Sequence, residues 1–124
     1  MRLEAARAKA ELFARARAVL GRATGSAHSH ALFVPGRVEF LGKHTDYAGG
    51  RSLLAAVERG ICLVASPRSD LMMRVIDARS GDETAFAIDP ALEPVAGHWS
   101  NYPMTVARRV ARNFPGLARG ADVA

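Results

Sequence analysis

The sequence is poor in cysteine and has no long apolar run. Its single cysteine, Cys62, excludes a disulfide within the chain and lies in the apolar residues 60–64, which predicts a buried thiol. No apolar run approaches the roughly 20 residues that span a bilayer, and the charged N-terminus lacks the apolar segment of a secretory signal. We therefore expect a cytoplasmic protein that does not bind membranes.

Lysine is also scarce, and arginine supplies most of the positive charge. Only Lys9 and Lys43 are lysines among 17 basic residues, which stand against 12 acidic ones and give a net charge of +5. A basic surface suits anionic partners such as nucleotides. The charges are spread along the chain, however, and no recognition motif accompanies them, so we expect no nucleic-acid partner.

Two segments have helical periodicity. The first, residues 2–21, is rich in alanine and repeats apolar side chains at helical spacing: Leu12, Phe13, Ala16, Val19 and Leu20. The second, residues 101–114, places apolar side chains on one face: Met104, Ala107, Val110, Ala111 and Phe114. The opposite face carries arginines and should be solvated. The residues from Gly21 to Ser29 are predicted to form a loop.

The segments between the helices predict strands. Residues 31–41 form a strand broken at Pro35-Gly36, and residues 52–67 form a strand that should be close to buried. Two shorter runs separated by a turn fit an antiparallel pair: residues 72–77 and 84–89. The order of elements predicts an α+β fold with a mixed or antiparallel sheet. Residues 121–124 read as the start of another strand, so we expect an incomplete domain.

Residues 34–50 carry the most informative pattern. An apolar strand stops at Pro-Gly, resumes, and then opens into Lys43, His44 and Asp46 between glycines, with Arg37 just upstream. Glycines let a backbone approach a ligand closely, and polar loops often carry binding residues. The pattern predicts a site for a small polar molecule. We predict no metal site, because the pair of histidines at 28 and 30 lacks further ligands at suitable spacing.

This stretch resembles the N-terminal signature of galactokinases, which belong to the GHMP superfamily of small-molecule kinases. The matching residues are Pro35, Gly36, Arg37, Val38, Gly42, His44, Thr45, Asp46, Tyr47, Gly49 and Gly50. Residues 65–68 and 98–102 extend the resemblance more weakly. The resemblance implies that residues 1–124 are an incomplete N-terminal domain of the GHMP-kinase type, with a fold like domain 2 of ribosomal protein S5.

The resemblance also implies a reaction, the phosphorylation of the anomeric hydroxyl of galactose or a related hexose, with ATP and Mg²⁺ as cofactors. It implies a sugar pocket made by Arg37, Lys43, His44, Asp46, Tyr47 and Gly49, and an adenine pocket bordered by Trp99 and Tyr102. Arg37 would also be catalytic, because a permanent cation stabilises charge that develops during phosphoryl transfer. A carboxylate such as that of Asp46 accepts hydrogen bonds from sugar hydroxyls.

Purely structural roles remain open for three of these residues. Asp46 could satisfy the backbone of its own turn, His44 could donate to a backbone carbonyl, and Trp99 could anchor the second helix in the core. A relative that binds or senses sugar without catalysis is a further alternative. The sequence does not define an oligomeric state.

The chain departs from the galactokinase pattern at Lys43, where that signature has Glu. An ammonium group only donates hydrogen bonds, so the substrate could be an acidic sugar such as a uronate. Alternatively, Lys43 turns outward and pairs with an acid such as Glu39.

A second departure is that the Gly/Ser-rich phosphate loop and the C-terminal domain of the family do not occur in these 124 residues. Phosphoryl transfer depends on positioning and charge stabilisation of the phosphates. We therefore expect residues 1–124 alone to be catalytically silent.

Overall fold

The computed structural model describes residues 2–25, 30–116 and 119–124, except for the side chains of Arg2 and Asp46. The histidine at position 28 lies outside these residues. Within them the chain forms two helices, α1 (Arg2–Thr24) and α2 (Asn101–Asn113), and a short 3-10 turn at Asp46–Ala48. It also forms five strands: β1 (His30–Leu41), β2 (Leu53–Pro67), β3 (Met72–Ile76), β4 (Glu83–Ala87) and β5 (Ala121–Val123).

The five strands make one mixed sheet in the order β1-β2-β5-β3-β4. Strands β1 and β2 form one antiparallel pair, and β3 and β4 form another. The short strand β5 lies between the two pairs, antiparallel to β2 and parallel to β3. The prediction of an α+β fold with a mixed sheet is confirmed. The segment predicted to open a new strand at the C-terminal end is the element that joins the two hairpins.

The two helices pack on opposite faces of this sheet. Ile76 of β3 belongs to the buried cluster with Ala16 and Leu20 of α1. Its neighbour Val75 packs against the cluster that contains Met104 of α2. Because successive strand residues point to opposite faces, α1 and α2 cover different sides of β3. The core is therefore divided into two small clusters, one on each side of the sheet.

The first helix is longer than the sequence pattern predicts. The predicted end near residue 21 is wrong, since α1 continues to Thr24. Glycine inside a helix costs only about 1 kcal/mol relative to alanine. Ala23 packs against the buried cluster, and the Thr24 hydroxyl donates to the carbonyl of Leu20 at 2.9 Å. These contacts extend the helix beyond Gly21.

Strand β1 also runs through the predicted break. It continues from His30 to Leu41, with an irregularity in its pairing with β2 between Pro35 and Arg37. Proline lacks the N–H that a strand residue donates to a neighbouring strand, but β1 is at the edge of the described sheet, where one side is unpaired and a missing donor is tolerated. The edge position explains why Pro35 bends the ladder without ending the strand.

The prediction that β2 is close to buried is wrong for most of its length. Only Val64 and Ser66 of this strand are buried, whereas Ile61 is 63% exposed. The predicted burial of Cys62 is also wrong, because this thiol is only half-buried. The apolar composition of β2 is real, but within the described chain the helices cover mainly its C-terminal part.

Candidate functional site

Most of the predicted sugar-binding residues lie in the loop that connects β1 to β2, whereas Arg37 lies within β1. Leu41 and Leu53 form the last cross-strand pair, and residues 42–52 connect them. The carbonyl of Gly42 accepts hydrogen bonds from the Thr45 amide at 3.0 Å and the Thr45 hydroxyl at 2.7 Å. It also accepts one from the Ser52 hydroxyl at 3.1 Å. A single carbonyl therefore ties the start of this loop to its middle and to its end.

Glycine is required at position 42 for two separate reasons. The φ angle of Gly42 is +93°, a left-handed conformation that side chains disfavour. A Cβ there would also collide with the carbonyl oxygen of Arg51 and lie 2.7 Å from the Cα of Ser52. The sequence prediction treated Gly42 only as part of a matching pattern; the geometry gives it a specific role in closing the loop.

His44 is the only non-glycine residue with a positive φ angle in the part of the chain that the structure describes. Its φ is +65°, and its ring stacks with that of Tyr47 at a centroid distance of 5.9 Å and an interplanar angle of 21°. Side chains held in the left-handed region are often found at binding sites. The side-chain hydrogen bonds to backbone carbonyls described in this loop come from Thr45 and Ser52, and none of them comes from His44. Both rings are instead presented to solvent.

Lys43 is exposed on the same turn and makes no ion pair within the described residues. The alternative pairing with Glu39 is therefore not present. Arg37 is likewise exposed on β1 and has no ion-pair partner in the described chain. The five strand residues from Arg37 to Leu41 are separated by four steps and span about 13 Å at the usual rise of extended chain. The two cations thus lie towards opposite ends of the candidate site.

Asp46 begins the 3-10 turn, while its side chain lies outside the described part of the structure. The turn is held by the carbonyl of Thr45, which accepts from the amides of Ala48 at 3.0 Å and Gly50 at 2.8 Å. Gly49 has a φ of +74° and is exposed. The roles predicted for Asp46 and Gly49 in sugar binding stay predictions.

Of the two residues predicted to border an adenine pocket, only Tyr102 lines the groove at the start of α2. Tyr102 is 78% exposed at the start of α2 and lines a groove of about 600 Å³. The other lining residues are mostly apolar: Val34, Ile61, Leu63, Asn101, Pro103, Thr105 and Val106. Trp99 is half-buried outside that set, with its ring 5.7 Å from that of His98. The groove offers a flat aromatic face from Tyr102 alone.

Sequence reasoning missed the two hydroxyl residues that build the loop. Thr45 appeared only as a match to the signature, and Ser52 was not singled out. Their hydroxyls close the loop by donating to the same carbonyl. The available signal for Thr45 is its place three residues after the glycine that follows β1, because short hydroxyl side chains commonly bond to nearby backbone. Ser52 is ten residues from Gly42 and has no such local signal.

Comparison with known proteins shows which family this chain is similar to. Residues 20–67 match the family model of the galactokinase galactose-binding signature. Galactokinase from Actinobacillus pleuropneumoniae serotype 5b is 31% identical over 100 residues, which are 81% of this chain and 26% of the relative. Galactokinase from Chloroflexus aggregans is 38% identical over 90 residues, 72% of this chain and 23% of the relative. The chain thus spans about a quarter of the length of these relatives.

The fold is similar to that of Lactococcus lactis galactokinase in a crystal structure with galactose. The TM-score is 0.68 at 22% identity, over 86% of this chain and 28% of that one. None of the helices in the described ranges is long and apolar enough to cross a membrane. The galactose-binding signature, the sequence relatives and the shared fold together identify this chain as galactokinase-like and as corresponding to the N-terminal part of those proteins.

Proposed function

We propose that this chain supplies the sugar-binding part of a galactokinase-like sugar 1-kinase. The reaction would transfer the γ-phosphoryl group of ATP to the anomeric hydroxyl of galactose or a related hexose. The observation that carries the proposal is the loop at residues 42–52, which the Gly42 carbonyl closes and which lies within the matched galactose-binding signature.

The chemistry of the loop suits a polyhydroxyl ligand. The proposed role of Asp46 is to accept hydrogen bonds from adjacent hydroxyls, and His44 can donate or accept one. The exposed rings of His44 and Tyr47 offer apolar surface beside these polar groups. Arg37 is a permanent cation near the other end of the site, where it would stabilise the negative charge of the transferring phosphoryl group.

The residues present fit only part of an ATP site. The exposed ring of Tyr102 in its apolar groove suits a nucleotide base. The 124 residues contain no Gly/Ser-rich loop to hold phosphates, and no group of acidic or other ligands in the described chain is arranged to bind a metal ion. We therefore assign to this chain the binding of the sugar and the proposed role of Arg37 in charge stabilisation, and no residue that holds the ATP phosphates or Mg²⁺.

A titration of the isotope-labelled chain with galactose, followed by NMR, tests the sugar site. We expect the amide signals of residues 34–52 to shift, and we expect Asp46→Asn to abolish the shifts by removing the carboxylate. Arg109→Gln, on the exposed face of α2, is the control and should leave them intact. Shifts confined to other regions, or no shifts at saturating galactose, would contradict the proposal.

A coupled assay of ATP consumption tests the kinase activity. A polypeptide of the relatives' length that begins with this sequence should consume ATP only when the sugar is present. Residues 1–124 alone should not, because they lack a phosphate-binding loop. If the longer polypeptide bound sugar without consuming ATP, a non-catalytic sugar-binding protein would replace the kinase as the best assignment.

A further inference from the structure

Among the described side chains, Lys43 has no ion-pair partner at the tip of the candidate sugar site. Its side chain is exposed and makes no ion pair with any described residue, although Glu39 lies nearby on β1. The charged arginines Arg68 and Arg74 are, in contrast, paired with carboxylates at 2.7 Å. No described carboxylate therefore occupies the ammonium group of Lys43.

The backbone on both sides of Lys43 is held in place. Gly42 precedes it in a left-handed conformation, and the Thr45 amide and hydroxyl both donate to the Gly42 carbonyl across Lys43. His44 follows it with its ring stacked on Tyr47. The Lys43 side chain thus projects from a constrained turn. Because the backbone is fixed, the ammonium group can move only as far as one lysine side chain reaches.

We propose, building on the proposed sugar-binding function, that the preferred sugar is a hexuronate whose carboxylate binds to Lys43. An ammonium group donates three hydrogen bonds and accepts none, so it recognises a carboxylate better than a neutral hydroxyl. A carboxylate replaces the terminal hydroxymethyl group of a hexose in a hexuronate. Lys43 would therefore select the substituent at the end of the sugar away from the anomeric centre.

The position of Arg37 argues against the phosphates of ATP as the partner of Lys43. In the proposed function Arg37 marks the end where the phosphoryl group is transferred. Lys43 lies beyond the end of the strand, and the strand from Arg37 to Leu41 alone covers about 13 Å. The two cations are thus suited to two separate anions, a transferring phosphoryl group and a carboxylate on the sugar.

NMR titrations of the labelled 124-residue chain with galactose and with galacturonate test the inference. The dissociation constant for galacturonate should be about threefold to fivefold lower, as expected for an exposed charge pair, and the difference should shrink at high salt. Lys43→Met should equalise the two sugars, Lys43→Arg should retain the preference, and Lys43→Glu should reverse it.

Lys9→Met is the matched control, because it removes the same charge from the other lysine. Lys9 lies over the ring of Phe33, nine strand residues and about 30 Å from Gly42, so the preference should persist. Tighter binding of galactose than of galacturonate would overturn the inference and leave the proposed sugar site intact. Binding of neither sugar would remove both. Displacement of galacturonate by equimolar acetate would also overturn it, because it would indicate an anion site that does not recognise sugar.

Discussion

One backbone carbonyl organises the candidate site. The oxygen of Gly42 accepts from Thr45 and Ser52, which come from the middle and the end of the same loop. All three groups are exposed or half-exposed, so each bond contributes modestly, about 0.5–1.5 kcal/mol. Their combined effect is to fix the direction in which residues 43–47 leave the hairpin.

Replacement of Gly42 by alanine should therefore damage the loop more than a comparable change elsewhere. Gly42→Ala combines a disfavoured φ angle with a collision against Arg51. The control, Gly81→Ala, has the same type of φ angle, +83°, and open space around its Cβ. Its cost should be only the left-handed penalty of about 1–2 kcal/mol. Urea denaturation should show a larger loss of unfolding free energy for Gly42→Ala, together with loss of the galactose-induced NMR shifts. Equal losses for both variants would contradict the role given to Gly42.

At the scale of elements, the local sequence predicted whether a segment is a helix or a strand. It predicted less well where that segment lies in the sheet and how far it is buried. The hairpin β3–β4 and helix α2 occur where their patterns predict them. The continuation of β1 through Pro35 could not be read locally, because it depends on β1 being at a sheet edge. The exposure of Ile61 could not be predicted either, because the sequence of an apolar strand does not show whether a helix covers it.

In the candidate site too, the sequence predicted which residues of one turn lie together, but not which residues the packing of α2 brings together. The loop residues Lys43, His44 and Tyr47 are close in sequence, and the structure brings them together in one turn. The family resemblance assigned Trp99 and Tyr102 to one adenine pocket, but only Tyr102 lines the groove beside Val34. That arrangement depends on the direction in which α2 crosses the sheet, which no short motif specifies.

The junction between β2, β3 and β5 is held by charge. Arg68 donates to both carboxylate oxygens of Asp70, at 2.8 Å and 2.7 Å, and to Asp122 of β5 at 3.0 Å. The hydrogen bonds from Arg68, with a further one from the Met72 amide, lower the pKa of Asp70 to about 2. The backbone of Asp70 and Arg68 also pairs with Gly120, which leads into β5.

We expect the stability of the fold to fall at acidic pH because of this junction. Because the pKa of Asp70 is lower in the folded chain than its ordinary value near 3.8, its contribution is present above about pH 4. That contribution should be lost as the pH falls from 4 towards 2. The urea midpoint of Asp70→Asn should therefore fall less steeply over this interval than that of the unsubstituted chain. Glu93→Gln, which changes an exposed carboxylate without a described partner, should keep the original slope. Parallel curves for Asp70→Asn and the unsubstituted chain would exclude this account.

At the scale of the whole molecule, the surface is large and rich in apolar groups. The accessible area is 9121 Å² for a mass of 13.2 kDa, whereas a compact monomer of that mass exposes about 6,400 Å². Three large apolar side chains that line the groove at Tyr102 are about half exposed or more: Val34, Ile61 and Val106. Leu32, which pairs with Leu63 of the groove across the hairpin, is 56% exposed. Exposed apolar side chains grouped around a groove favour association in water.

We expect the 124-residue chain to self-associate as its concentration rises, because burial of this groove removes apolar area from water at about 25 cal/mol per Å². Sedimentation velocity across a concentration series should show a rising mean mass. Val106→Glu, at a residue that is 62% exposed on α2, should suppress the rise without lowering the unfolding midpoint. Leu3→Glu makes the same kind of change at an 88% exposed site on α1, away from the groove, and should have no effect. If both variants suppressed association equally, net charge and not the groove would be responsible.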